Sequence, residues 1–209
     1  VRIGSGTGTI DVDTEGTLTM AGASLLDTSA VNTNIRVNAI ESVTLGYANA
    51  GTGDVSVKGT TITDGGTASL NVTATNLRLE ATDGAGAVGE GTNHLEIAVQ
   101  ILSAVAGTGG IFITESDGVT VTTTPVIAVD RVQADGTLAA LQPFHATQSD
   151  LTSLNNGSIV LVATLGDITL EDGVDNAGTA VSANGTGNIL VESVAGSLTA
   201  NADILTGTG

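Results

Sequence analysis

The chain has no cysteine and no tryptophan, and its 209 residues include only two phenylalanines, one tyrosine and two prolines. Without cysteine there is neither a disulfide framework nor a thiolate metal site. Without aromatic bulk, a compact globule of this length lacks the rings that usually fill its core. Thin stacked layers need only Val, Ile, Leu and Ala. Basic residues are also scarce: five Lys and Arg stand against 22 Asp and Glu, for a net charge of −17. Nucleic acid is thereby excluded as a partner, because binding needs cationic side chains to displace counterions. Anionic membrane surfaces are disfavoured on the same ground. No apolar run reaches the roughly 18 residues of a membrane-spanning helix, so no membrane insertion is expected.

Glycine, by contrast, is abundant at 29 residues, and it recurs in one phrase. Gly185-Thr186-Gly187 opens onto Asn188-Ile189-Leu190-Val191-Glu192, and Ser197-Leu198-Thr199 follows. Gly6-Thr7-Gly8 leads likewise into Ile10-Asp11-Val12 and Leu18-Thr19-Met20, and Gly51-Thr52-Gly53 into Val55-Ser56-Val57 and Ile62-Thr63. Paired strand starts lie eight apart at Ile10 and Leu18, Ile35 and Val43, and Ile111 and Val119, and nine apart at Ile159 and Ile168 and at Ile189 and Leu198. Each short run alternates, is rich in Val, Ile, Leu and Thr, and is bounded by Gly, Asn or Asp, which is a strand signature. Leu95 to Ala106 is the nearest approach to a helix, but Leu95, Ile97, Val99 and Ile101 repeat every second residue, so a strand is expected there too. Self-similar short strands with variable turns and no aromatic core predict a parallel β-solenoid, in which each coil stacks on the next. Glycine supplies the corners.

Thr122 to Asn156 breaks the pattern and holds both prolines, Pro125 and Pro143. Asp135-Gly136 between alternating runs predicts a hairpin. The expected reading is a hairpin-like excursion over 122–157, with the solenoid resuming at Ser158. Stretches 83–93 and 171–184 read as longer polar turns. Because the chain starts on Val1 and ends on the turn Gly207-Thr208-Gly209, residues 1–209 are expected to be one solenoid segment of a longer repetitive chain.

The phrases NLRLEATDGAGAVGEGTNHLEIAVQILSA (76–104), GTGGIFITESDGVTV (107–121), RVQADGT (131–137) and NGSIVLVATLGDITLEDG (156–173) resemble the repeat regions of giant bacterial surface exoproteins, the filamentous-haemagglutinin-like adhesins. The resemblance covers nearly the whole chain, and it rests on the ordered set rather than on any one phrase. It implies an all-β, right-handed parallel β-helix at the cell surface or outside the cell, used in adhesion, biofilm matrix or surface fibres. It carries over no catalytic residue.

The residues themselves offer few sites. Asp11-Val12-Asp13-Thr14-Glu15-Gly16 mimics the opening of a calcium loop, but the twelfth position, which should be a bidentate Glu, is Gly22. Alternation also puts Asp11 and Asp13 on the solvated face. Glu171, Asp172 and Asp175 form an acidic turn with no stronger claim, so no cofactor is expected and surface calcium is the weaker alternative. Glu115 and Asp117 share a face, as a glycosidase pair would. Arg36, Lys58, Arg78 and Arg131 read as scattered surface charge. His94 and His145 read as solvated turn residues without a nucleophile at a recognisable spacing. Asn71, Asn156 and Asn184 begin glycosylation sequons, a chance match in this reading.

No catalytic, cofactor-binding or metal-binding residue is assigned, and the chain is expected not to be an enzyme. The expected function is a structural extracellular fibre or adhesin shaft. Its partners would be adjacent solenoid segments or identical subunits end to end, with host or matrix carbohydrate as a further candidate. The alternatives are a β-helix that binds or cleaves polysaccharide, and a self-assembling filament subunit.

Overall fold

The computed structural model describes residues 6–66, 70–81 and 83–207. Its described strands form one long, almost wholly parallel sheet wound around an axis, plus a separate two-stranded antiparallel ribbon, and no helix occurs among them. This is the parallel β-helix that the repeat predicts. The physical reason lies in the columns. Val12, Val37, Val57, Leu79, Ala104, Leu151, Val181 and Ile204 are each in register with the next, one coil apart. A second column runs Leu18, Val43, Ile62, Val88, Ile111, Ile159 and Ile189. Away from the two ends these side chains are fully buried, and each such burial contributes about 1.5–3 kcal/mol.

The predicted strand pairs are present, and Leu95–Ala106 is a single twelve-residue strand. A third face of the tube went unread in the sequence. Leu25–Asp27 and Tyr47–Asn49 pair with each other there, and Val72–Ala81 continues it. The turn expected over 171–184 contains the strand Thr179–Ala183, and that over 83–93 contains Ala87–Val88. In each a single inward valine, Val88 or Val181, stands among small residues, so no alternating apolar run marks the strand.

Corners stack as well as strands. Asn32 and Gly51 hold equivalent left-handed positions on successive coils (φ 55° and 61°), as do Asn156 and Gly185 (φ 56° and 72°). Each Asn turns its side-chain oxygen to the next coil, accepting from Thr52 N at 3.0 Å and from Thr186 N at 2.9 Å. A Cβ on either glycine would collide with that oxygen.

The ends differ. Ile10, Met20 and Leu26 in the first coil are buried, whereas in the last coil Leu198 and Ile204 are 45% and 39% exposed. Their partners one coil earlier, Ile168 and Val181, are fully buried.

The excursion exists and contains the expected hairpin, but it ends sooner. The wall resumes at Leu151–Ser153, paired with Ala104–Ala106, rather than at Ser158. Within it Ile127–Ala128 pairs antiparallel with Phe144–His145, and Gln133 N donates to Thr137 O at 2.8 Å around Gly136 (φ 83°). Instead of projecting outward, the hairpin folds back as a strap along the outside of the earlier coils. Thr124 meets Ser103, Ala146 meets Arg78, His145 meets Ser56, Ala128 meets Asn34 and Asp130 meets Thr9. Four coil steps at about 4.8 Å make a path of about 19 Å.

Candidate functional site

The strap covers the outward side chains of one strand column, and most of the chain's unusual chemistry lies in that interlayer. Alternation sends Asp11, Arg36, Ser56, Arg78 and Ser103 outward in one row, each in register with the next. A parallel row holds Asp13, Asn38, Lys58 and Glu80. Neighbouring coils thus bring Arg36 Nη1 to 2.7 Å from Asp11 Oδ1 and Lys58 Nζ to 2.8 Å from Glu80 Oε1, and Arg78 also pairs with Glu80. From the strap, Arg131 Nε donates to Asp11 Oδ2 and its Nη2 to Asp13 Oδ2, each at 2.7 Å.

Several expectations are corrected here. Arg36 and Arg78 are not ordinary surface charge: each is only 7% exposed, because the strap lies over it. Lys58 and Arg131 are partly exposed but ion-paired. Asp11 is not solvated, since the strap and the guanidinium groups of Arg36 and Arg131 enclose it. Burial pushes the Asp13 carboxyl up, but hydrogen bonds from Asn38 and Arg131 and the charges of Arg131 and Arg36 outweigh it and hold Asp13 below the usual carboxylate range. A cleft of about 550 Å³ opens beside these groups, lined by 9–13 of the first coil and 130–132 of the strap.

His145 is likewise no solvated turn residue. It is 7% exposed, with Nδ1 2.5 Å from Ser56 Oγ and Nε2 3.4 Å from Asn38 Oδ1. Burial first, then the charges of Arg36 and Arg78, push its pKa down to about 4, so the ring is neutral at pH 7. The neutral ring accepts from the Ser56 hydroxyl and donates from Nε2 to Asn38. This order of serine, histidine and amide is that of an activated nucleophile. Ser56, however, is fully buried between the wall and the strap, where no substrate carbonyl can reach it. The triplet fastens the strap. His94 is half-buried, with Nδ1 2.9 Å from Thr114 Oγ1 and its ring tilted against Phe112, and burial lowers its pKa.

The Glu115–Asp117 pair is also redefined. Glu115 points into the tube, in the column between Ile97 and Ala163, and is fully buried, while Asp117 is exposed at the corner. The Glu115 carboxyl accepts from Val99 N (3.1 Å), Ser116 N (2.9 Å) and Asp117 N (3.3 Å). Burial, with a contribution from the Asp117 side chain, pushes its pKa up to about 8 against the opposing pull of the Asp117 and Val99 amides. It braces a corner from inside and faces no cleft.

Asn71 is buried, donating to Leu45 O and Gly46 O at 3.2 Å and accepting from Glu96 N at 2.9 Å, so the first sequon offers no free amide. Among the described residues no group of three or more His, Asp or Glu side chains forms a ready-made metal cage. The strap's outer side exposes Val126, Val132, Leu138, Leu141 and Phe144. No signal in the sequence linked the strap to the wall, because most of its contacts join residues 68 to 121 positions apart. No known protein family, curated protein or solved structure matches this chain, and its fold is assigned from strand register alone.

Proposed function

We propose that this chain is a segment of a load-bearing extracellular shaft, of the kind its resemblance to filamentous-haemagglutinin-like adhesins implies. The observation that supports it most is the register of the inward columns, which continues past a single bulge at 179–181 to a last coil that offers further stacking. Among the described residues the strands Ile189–Ser193, Leu198–Ala200 and Asp203–Thr206 pair with the preceding coil alone, and Leu198 and Ile204 present apolar surface at that end. Unpaired parallel edges over exposed core template another coil. Head-to-tail contacts of this type build rods rather than closed rings when the rotation does not close. The reading gains further support from the basic residues. Arg36, Lys58, Arg78 and Arg131 are all committed to carboxylates on the strap-covered face, which leaves an acidic polysaccharide little to grip.

Electron microscopy of the purified chain at increasing concentration tests the proposal. Rods that lengthen with concentration, and that shorten when Leu198→Asp and Ile204→Asp place charge on the open end, are the expected result. Particles of constant length in both proteins, or release of oligosaccharides from an acidic polysaccharide by the wild type, would overturn it.

A further inference from the structure

Outside the tube the strap forms a second, much thinner layer. Ile127–Ala128 pairs antiparallel with Phe144–His145, and Val132 bridges Leu138 farther along, with no third strand among the described residues. Its two faces have separate surroundings. Ile127, Val129 and His145 turn inward against the wall and are buried. Val126 and Phe144 are exposed at one end of the ribbon, and Val132, Leu138 and Leu141 towards its tip. Phe144 is 58% and Leu141 87% exposed. A two-stranded ribbon is marginal by itself, and apolar groups on both faces are what a middle layer carries. The wall covers one face. The five outer side chains leave about 500–600 Å² bare, as much as the largest apolar patch on an ordinary monomer.

Charge decides what fits there. The chain carries −17, yet residues 125–147 hold only Asp130 and Asp135 against Arg131, a net charge of −1. Even these are engaged: Asp135 accepts from Thr137, Asp130 from Gln142, and Arg131 turns to the wall. A basic partner would find its complement on the acidic remainder of the surface and not here. A nearly neutral apolar face fits another of its own kind, and on the strap two strongly acidic copies can meet with few carboxylates opposed. Two such faces laid together bury about 1,000–1,200 Å², the lower end of specific interfaces.

We propose that two copies of this chain pair side by side through the outer faces of their straps, about a twofold axis lying across the ribbon. The tubes then run antiparallel. An isologous contact of this kind sets the Val126 and Phe144 end of one strap on the Val132, Leu138 and Leu141 end of the other. The Asp130–Gln142 pairs meet at the centre, where the second N–H of each Gln142 amide can reach the partner copy's carboxylate. The contact uses no residue of the open end, so it stands whether or not tubes stack into rods.

Sedimentation velocity over a range of concentrations tests it, in a Leu198→Asp/Ile204→Asp background that blocks end stacking, at about 0.05 and 0.5 M salt. A monomer–dimer equilibrium is expected, and it should tighten as salt rises, because salt screens the repulsion between two acidic chains and spares the apolar contact. Leu141→Asp and Phe144→Asp should each weaken pairing by about tenfold or more. Leu165→Asp, at an exposed corner off the strap, should leave it unchanged. Leu141 is too exposed to hold the strap down, so its variant should melt at the temperature of the monomeric parent, which separates lost pairing from a lost strap. A monomer at every concentration and salt would overturn the proposal and give the face to a different partner. Dimers that survive both strap substitutions, or that dissociate as salt rises, would overturn it too. Rods abolished by the background substitutions while dimers persist is the outcome expected if both contacts exist.

Discussion

Between Ile10 and Ala106 one outer face of the tube lies under the strap, whereas from Leu151 onward the continuation of that face meets solvent. The covered face carries Asp11, Arg36, Ser56, Arg78 and Ser103. The neighbouring row ends in Thr152, Ser182 and Leu205, which are uncharged. The inward columns beneath the two regions are nearly alike in chemistry. On this outer face, buried charge appears where the strap covers the wall and carboxylates of the same or neighbouring coils supply the counter-groups, and the repeat by itself does not call for it. Arg36 Nε and Arg78 Nη1 nevertheless remain buried without a partner, so the interlayer is less completely satisfied than the β-ladder around it.

The sharpest break in the comparison is between the middle of the tube and its open end. Ile159→Ala should cost about 3 kcal/mol, because the residue is fully buried and its cavity cannot collapse. Ile189→Ala, in register one coil later and only partly buried, should cost about 1 kcal/mol. Equal losses in urea titrations would mean that the last coil is covered in solution. Next in size is the interlayer. Arg36→Met removes one of the two guanidinium partners of the enclosed Asp11 and should destabilise by about 2 kcal/mol. A loss within experimental error would show that the strap is lifted in solution. At the corners, Gly185→Ala must adopt φ 72° against Asn156 and should cost about 1–2 kcal/mol.

A pH titration separates strap from tube with two opposite signs. His145 has its folded pKa lowered to about 4 from 6.5, so the unfolded chain binds its proton first. Its contribution to stability is fully present above about pH 6.5 and is lost as the pH falls towards 4, with a slope of at most about 1.4 kcal/mol per pH unit. His145→Gln should remove that acid-side slope. Glu115 works the other way. With its folded pKa raised to about 8 from 4.5, the folded chain holds the extra proton, and stability drains away as the pH rises through that window. Glu115→Gln should remove that fall between about pH 4.5 and 8. The smallest effect is expected for Asp13→Ser. It breaks a half-exposed pair with Arg131 and should cost no more than about 1 kcal/mol in chemical denaturation.

Much of the tube was legible in the sequence, because inward positions announce themselves by alternation. Spacings of eight and nine between Ile10 and Leu18 or Ile189 and Leu198 reappear as strand pairs, and Asp135-Gly136 marks the hairpin tip. Legibility failed where the inward residue was small or the strand brief. Thr179–Ala183 and Leu151–Ser153 lack the Val and Ile runs that mark a strand, and the re-entry point was misread by seven residues. Asp11, Glu115 and His145 were visible as residue types, but nothing local told which way each would face.

By itself the sequence determined the repeating coil, since a period of two with small aliphatic residues and glycine corners has no better way to bury its apolar side than to stack on its own neighbours. Only the tertiary structure decided what happens on the outside of the wall. Folding the hairpin back rather than outward turned Arg36, Arg78 and His145 from surface groups into buried ones. Those pairings depend on how a loop of some thirty residues crosses five coils, and contacts between positions so far apart in the chain leave no local pattern to read.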